Sequence, residues 1–194
     1  MVRPGFVIVI VLALAAVAVA LWPRESHTAP DPCGTTAARP AIAGTGAAGQ
    51  ATLCLVNRER TRRGLPPLRE NSLLSAASLE HSRDMVRVGY FEHTSADGRT
   101  VGDRLRAIGY SRGVSASAGE NIAYGVGEKG TPAAIVQAWM HSPGHRADIL
   151  RPAFTEIGIG IALGAPEVPA DEQNDSATYT TDFGGVLDPS LPNG

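Results

Sequence analysis

Apolar residues recur every three to four positions through the middle of the chain and every second position near its end. The first spacing predicts helices and the second predicts strands. Leu53, Val56 and Arg60 share one stripe of a first helix over Ala51–Arg63, and Gly64 suits its stop. Leu65-Pro66-Pro67-Leu68 reads as extended. Asn71 or Ser72 caps a second helix, whose Leu74, Ala77, His81, Met85 and Val88 form a buried face ending at Gly89. Asp97-Gly98 is a turn, and Thr100 with Asp103 opens a short helix to Ile108, stopped by Gly109. Thr131-Pro132 starts a further helix that runs to about His141, where Ser142-Pro143 interrupts it. The strands come late: Ile157, Ile159, Ile161 and Leu163 alternate with small residues, as do Tyr179, Thr181 and Phe183 with their neighbours. Glu120 to Tyr124 supplies a third, short strand. Helices first and a hairpin last predict an α+β fold with helices packed on a small antiparallel sheet.

The ends of the chain read differently. Phe6 to Leu21 is uncharged and almost wholly apolar, with Arg3 before it. Such a run is either a cleaved export signal or a membrane anchor, and both leave the rest of the chain outside. Residues 1–22 are therefore expected to be signal peptide or anchor. Residues 23–49, rich in Pro, Ala, Thr and Gly, are expected to be a flexible linker. The folded domain is expected over residues 50–188, and residues 189–194 form a tail. In an exported chain the two cysteines, Cys33 and Cys54, are expected to form a disulfide. A hydrophobic fraction of 43% supports a real core, and a net charge of -2 gives no reason to expect nucleic acid. Arg58, Arg60, Arg62 and Arg63 read as a solvated basic face. Glu167, Asp171, Glu172 and Asp175 read as a solvated loop, because their spacing does not match a calcium-binding hand.

Several literal motif matches lack their context. Gly125-Val126-Gly127-Glu128-Lys129-Gly130 has the dinucleotide-binding glycine spacing, but no βαβ unit surrounds it, and it reads as a flexible glycine loop. His141 and His145 have the spacing of a zinc-protease helix, but Ser142 replaces the required Glu and Pro143-Gly144 breaks the helix. No Gly-x-Ser-x-Gly elbow is present. His81, on an apolar helix face, reads as a hydrogen-bonded core residue. That leaves His93, Glu120 and His145, each in a phrase of small or turn-forming residues. Imidazole and carboxylate together bind a divalent metal or move protons near neutral pH.

The order of phrases is more specific than any one of them. Val56-Asn57-Arg58-Glu59-Arg60, Leu65-Pro66-Pro67-Leu68, His81-Ser82-Arg83-Asp84-Met85 and Tyr90-Phe91-Glu92-His93-Thr94-Ser95 come first. Gly119-Glu120-Asn121-Ile122-Ala123, Ala138-Trp139-Met140, Ser142-Pro143-Gly144-His145-Arg146-Ala147-Asp148-Ile149-Leu150 and Phe154-Thr155-Glu156-Ile157-Gly158-Ile159-Gly160 follow. From Ala51 to about Gly185 the chain resembles the bacterial, SCP-like extracellular branch of the CAP superfamily (cysteine-rich secretory proteins, antigen 5 and pathogenesis-related proteins). The resemblance implies a three-layer α-β-α sandwich with a cleft holding two His and two Glu. By motif these are His93, His145 and Glu120, while Ser142 stands where the second Glu belongs. His141, adjacent, is the residue that could compensate.

The resemblance implies catalytic candidates His93, Glu120 and His145, and a weak zinc or similar divalent-metal site at His93 and His145. Three functions follow. The first is a secreted or membrane-tethered binding module for lipid or sterol, cell-wall material or a protein. The second is a hydrolase acting on protein or cell wall, with a histidine as general base and Glu120 as its partner. The third is a structural envelope protein with a vestigial cleft. The only membrane contact expected is through the N-terminal segment.

Overall fold

The computed structural model describes residues 31–110 and 116–186. The apolar N-terminal run and the C-terminal tail lie outside them. Among the described residues no helix is long and apolar enough to cross a membrane. The helices are α1 (Pro40–Ala43), α2 (Thr45–Thr61), α3 (Ser72–Val88), α4 (Val101–Ala107), α5 (Pro132–His141) and α6 (Pro143–Ile149). The strands are β1 (Arg69–Glu70), β2 (Ala116–Val126), β3 (Glu156–Leu163) and β4 (Ser176–Val186).

The strands form one sheet in the order β1-β3-β4-β2. The three long strands pair antiparallel, and the two-residue β1 adds a parallel edge to β3. The sheet is therefore mixed, not purely antiparallel. Side chains alternate across it. Ile157, Ile161, Tyr179 and Phe183 point to one face and pack with Leu55 and Val56 of α2, Val136 and Trp139 of α5, and Ile149 of α6. On the other face lies α3. Methyl groups at Gly158 or Gly160 would lie 2.0 Å from the α3 backbone, so these two glycines let helix and sheet meet. Ser78 and Ser82 of α3 then donate to the carbonyls of Gly158 (3.3 Å) and Gly160 (3.0 Å). Helices on both faces make the expected α-β-α sandwich.

Helix ends follow the local chemistry. The Asn71 side chain caps α3 by accepting from the Leu73 and Leu74 amides. Thr100 and Asp103 complete a reciprocal capping box on α4. Pro143 does not end the helical path but restarts it at a new angle as the first residue of α6.

Several expectations are corrected. The first helix begins at Thr45, not Ala51, and a single turn precedes it. Residues 31–49 of the expected flexible linker lie against the domain. Composition misleads there because the contacts are small or polar: Ala48 is fully buried, Asp31 accepts from the Cys33 amide and the Thr36 hydroxyl, and Arg39 pairs with Asp175 at 2.7 Å. Cys33 and Cys54 form the disulfide, with their Cα atoms 5.3 Å apart. Asp175 is thus tied down within its acidic loop. Arg60 leaves the basic face altogether. It is 1% exposed, and its guanidinium donates to the carbonyls of Pro66, Ile149, Arg151 and Phe154 at 2.8–3.1 Å. Val88, placed on the buried face of α3, is exposed. β2 is longer than expected, starting at Ala116. The expected flexible glycine loop is instead the end of β2 followed by a 3-10 turn, Gly127–Gly130, and the helix after it leads to no parallel neighbour of β2.

Candidate functional site

The site lies on β2, the edge strand of the sheet. Glu120 is at its centre. Its side chain is 1% exposed, and both carboxylate oxygens are engaged. His93 Nδ1 donates to Oε1 at 2.8 Å. Arg104 Nη2 donates to Oε2, with the guanidinium as buried as the acid. Arg104 also donates to the His93 carbonyl (3.0 Å), the Ser95 hydroxyl (3.1 Å) and the Arg99 carbonyl (3.3 Å). One arginine from α4 therefore fixes both the acid and the loop that carries the histidine. Sequence reasoning missed Arg104. A basic residue in the last turn of a short helix is ordinary dipole complementation, and nothing local announces that this one is buried.

The bond to Glu120 sets the chemistry of His93. With Nδ1–H held by the carboxylate, Nε2 carries the lone pair of the neutral ring. The same bond raises the His93 pKa above its ordinary value, against the opposing effect of burial. The His93 side chain is half exposed.

A second buried acid stands behind the first. Asp182 of β4 is the register partner of Glu120, and it is fully buried. Burial, then the charge of Glu120, pushes its pKa up to about 8. Both effects favour the protonated form of Asp182. Its Oδ2 accepts from the Ser78 hydroxyl at 2.8 Å. His81 completes this inner layer. Its Nε2 donates to the Glu92 carbonyl at 3.0 Å and lies 3.9 Å from Glu120 Oε2. Burial lowers its pKa. His81 is thus a buried, hydrogen-bonded histidine, as its apolar helix face implies.

His145 comes from the other layer, on α6. Its carbonyl accepts from the Asn121 side chain at 3.0 Å, which docks α6 to the strand. Burial lowers the pKa of its ring, and the neighbouring His93 lowers it further. The two imidazoles are thus within electrostatic reach of each other. His141 is elsewhere. It lies on an exposed groove between α2 and α5 with Met140, Gln137 and Arg63, and its Nδ1 donates to the Gln137 carbonyl at 2.7 Å. The residue adjacent to the missing Glu therefore does not compensate for it in the cleft. Ser142 does border the site. It joins Phe91, Ile122, Tyr124, Trp139 and His145 around a shallow, mainly apolar groove of about 290 Å³. Phe91 and Tyr124 meet edge to face with centroids 4.9 Å apart, and Trp139 Nε1 donates to the Ile122 carbonyl at 3.2 Å.

The arrangement suits some chemistry and not other chemistry. Two imidazoles fit a borderline divalent ion such as zinc. Glu120 fits as the group that orients a ligand, because neither of its oxygens is spare. Among the described residues no three His, Cys, Asp or Glu side chains are already grouped to hold a metal. A cation held by His93 and His145 would therefore complete its shell with water. Ser95, the serine nearest His93 in sequence, is buried and bonded to Arg104.

Comparison with known proteins gives the family. A profile of the CAP, cysteine-rich secretory protein, family matches residues 53–167. The uncharacterized protein YkwD of Bacillus subtilis (strain 168) is 42% identical over 106 residues, covering 55% of this chain and 39% of that protein. The crystal structure of an SCP-domain extracellular protein from Bacillus anthracis is 31% identical, with a TM-score of 0.57 over 71% of this chain and 40% of that one. An outer surface protein of Borrelia burgdorferi shares the fold at 18% identity, with a TM-score of 0.57 over 70% of this chain and 90% of that one. The chain thus spans about two fifths of the length of the two Bacillus relatives. The family match over residues 53–167 and the shared fold agree: the chain belongs to the CAP, cysteine-rich secretory protein, family.

Proposed function

We propose that this protein is an extracellular or envelope binding module. Its cleft takes a divalent cation at His93 and His145, beside a groove for an apolar group. The observation that carries this reading is the His93–Glu120 bond of 2.8 Å. It leaves Nε2, the nitrogen not held by the carboxylate, as the ring's free ligand atom, as a metal ligand requires. The groove beside His145 favours the apolar part of a lipid or sterol, cell-wall material or a protein side chain. An outside location is supported by the apolar run after Arg3, the Cys33–Cys54 disulfide and the extracellular and outer-surface proteins that share the fold. Calorimetric zinc titration of the wild-type protein and a His93→Ala/His145→Ala variant tests the site. Binding by the wild type and not by the variant is expected; equal heats from both would remove the cleft from the reading.

A hydrolase is the second reading, favoured by the same bond. A carboxylate that holds an imidazole in one tautomer makes that ring a competent general base. Glu120 would then be the orienting group, and His93 the base acting on water. Because Glu120 also holds Arg104, the suitable variant is Glu120→Gln, which keeps the shape. Turnover of a cell-wall or peptide substrate that falls at least about a hundredfold in this variant supports hydrolysis. Absence of turnover by the wild type leaves the binding module.

A further inference from the structure

Residues 89–100 join α3 to α4 and carry His93, and side chains of both helices fasten this segment. Tyr90, near its start, donates from its hydroxyl to Asp84 Oδ2 of α3 at 2.6 Å. The Ser95 amide donates to the Arg99 carbonyl at 2.9 Å, which closes the turn after His93. Between these points two side chains reach the main chain on either side of His93. His81 Nε2 of α3 donates to the Glu92 carbonyl at 3.0 Å. Arg104 Nη1 of α4 donates to the His93 carbonyl at 3.0 Å.

Those two carbonyls flank the His93 Cα. A planar peptide leaves each residue only two soft backbone dihedrals. The Glu92 carbonyl belongs to the peptide plane before the His93 Cα, and the His93 carbonyl to the plane after it. Bonding both carbonyls fixes both planes, and with them the direction in which the His93 side chain leaves the chain. Only the side-chain torsions remain, and the 2.8 Å bond from Nδ1 to Glu120 takes those up.

Packing alone does not call for a histidine at position 81. The residue is 1% exposed, and among the described residues its Nδ1 is buried without a hydrogen-bond partner. An unpaired buried polar atom costs stability that an apolar side chain would keep. Nor does the ring bond the acid, because 3.9 Å from Nε2 to Glu120 Oε2 is too long for a hydrogen bond. The ring's bond goes to the Glu92 carbonyl, which can only accept, so the proton stands on Nε2. We propose that His81 is a positioning residue, which sets the backbone of His93 so that its ring meets Glu120. The proposal deepens the reading of the cleft and rests on His93 being its working group.

The test compares metal-free wild type, His81→Gln and His81→Phe by NMR. Gln keeps an N–H donor for the Glu92 carbonyl, and Phe keeps a ring without one. The first readout is the nitrogen chemical shifts of the His93 ring above its midpoint, which report the nitrogen that carries the proton. The second is hydrogen exchange of the Ser95 amide. In His81→Phe this amide is expected to exchange about tenfold faster, the scale of one lost hydrogen bond, while amides of β3 and β4 keep their protection. The His93 ring of that variant is expected to lose its single Nδ1–H form and show both tautomers. His81→Gln is expected to keep both readouts near wild type, a rescue that packing alone does not explain. Wild-type readouts in folded His81→Phe overturn the proposal. So does faster exchange throughout the sheet, which would make His81 a residue of general stability. Should His81→Phe fail to fold, His81→Leu takes its place, and failure of both assigns His81 to folding and overturns the proposal as well. None of these outcomes depends on a cation, and the zinc titration of the His93→Ala/His145→Ala variant decides the reading of the cleft separately.

Discussion

Glu120 and Asp182 face each other as register partners on adjacent antiparallel strands, and only Glu120 is paired with an arginine. The two carboxylates are both buried and differ in their surroundings: one takes the arginine, and burial favours a proton on the other. Asparagine should therefore replace Asp182 well, since it keeps the acceptor for Ser78 and donates toward Glu120. The linkage sign is definite. The folded-state pKa, about 8, lies above the ordinary carboxyl value of 3.8, so the unfolded chain releases this proton first as pH rises. The contribution of Asp182 to stability is full below the ordinary value and is lost progressively up to about pH 8. Urea unfolding across that window should show Asp182→Asn gaining on wild type as pH rises. Parallel stability curves would show that Asp182 does not hold the proton.

His93 and His145 should titrate in opposite directions. The bond to Glu120 raises His93, whereas burial and then His93 itself lower His145, both from the ordinary 6.5. The stability that His93 contributes is present below that ordinary value and is lost as pH rises through its raised folded value. Histidine ring resonances of the metal-free protein, followed by NMR, should give two curves on either side of the ordinary midpoint. In Glu120→Gln the His93 curve should move down. A curve that stays put would mean that the hydrogen bond does not set its basicity.

Arg60 should be a stability residue and not a surface one. Its guanidinium satisfies four carbonyls, three of them from the end of α6 and the segment just after it. Arg60→Ala leaves buried acceptors unpaired and should destabilise the protein by roughly 3 kcal/mol or more. Arg62→Ala, on the exposed side of the same helix, should change stability by no more than about 0.5 kcal/mol. Chemical denaturation of the two variants decides the contrast, and equal small effects would contradict the buried position of Arg60.

The disulfide should matter more than its place near the domain's edge suggests. Cys33 and Cys54 are 21 residues apart in sequence, and closing such a loop in the unfolded chain is worth about 3 kcal/mol in the chain-entropy model. The Cys33→Ser/Cys54→Ser variant should lose about that much. It should also make the segment before α2 more susceptible to limited proteolysis. Unchanged proteolysis there would mean that the Arg39–Asp175 pair and Ala48 packing hold the segment alone.

The sequence by itself determined most of the long elements, the caps of α3 and α4 and the family. Helix and strand periods, Asn71, Thr100 with Asp103, and Pro132 are local signals, and the structure uses each one. The candidates His93, Glu120 and His145 were legible because they stand in ordered phrases. Only the tertiary structure decided which charged side chains are buried and with whom. Asp182 alternates with Tyr179, Thr181 and Phe183, and alternation alone does not say whether its face meets solvent or another layer. The sheet is covered on both faces, and that position meets α3. Arg60 reads as part of a solvated face, and Arg104 goes unnoticed, for one reason: a lone arginine carries no sign of the carbonyls or carboxylate that will surround it. Periodicity acts between neighbours in the chain, whereas burial and ion pairing act between elements, and their outcome depends on register and layer order.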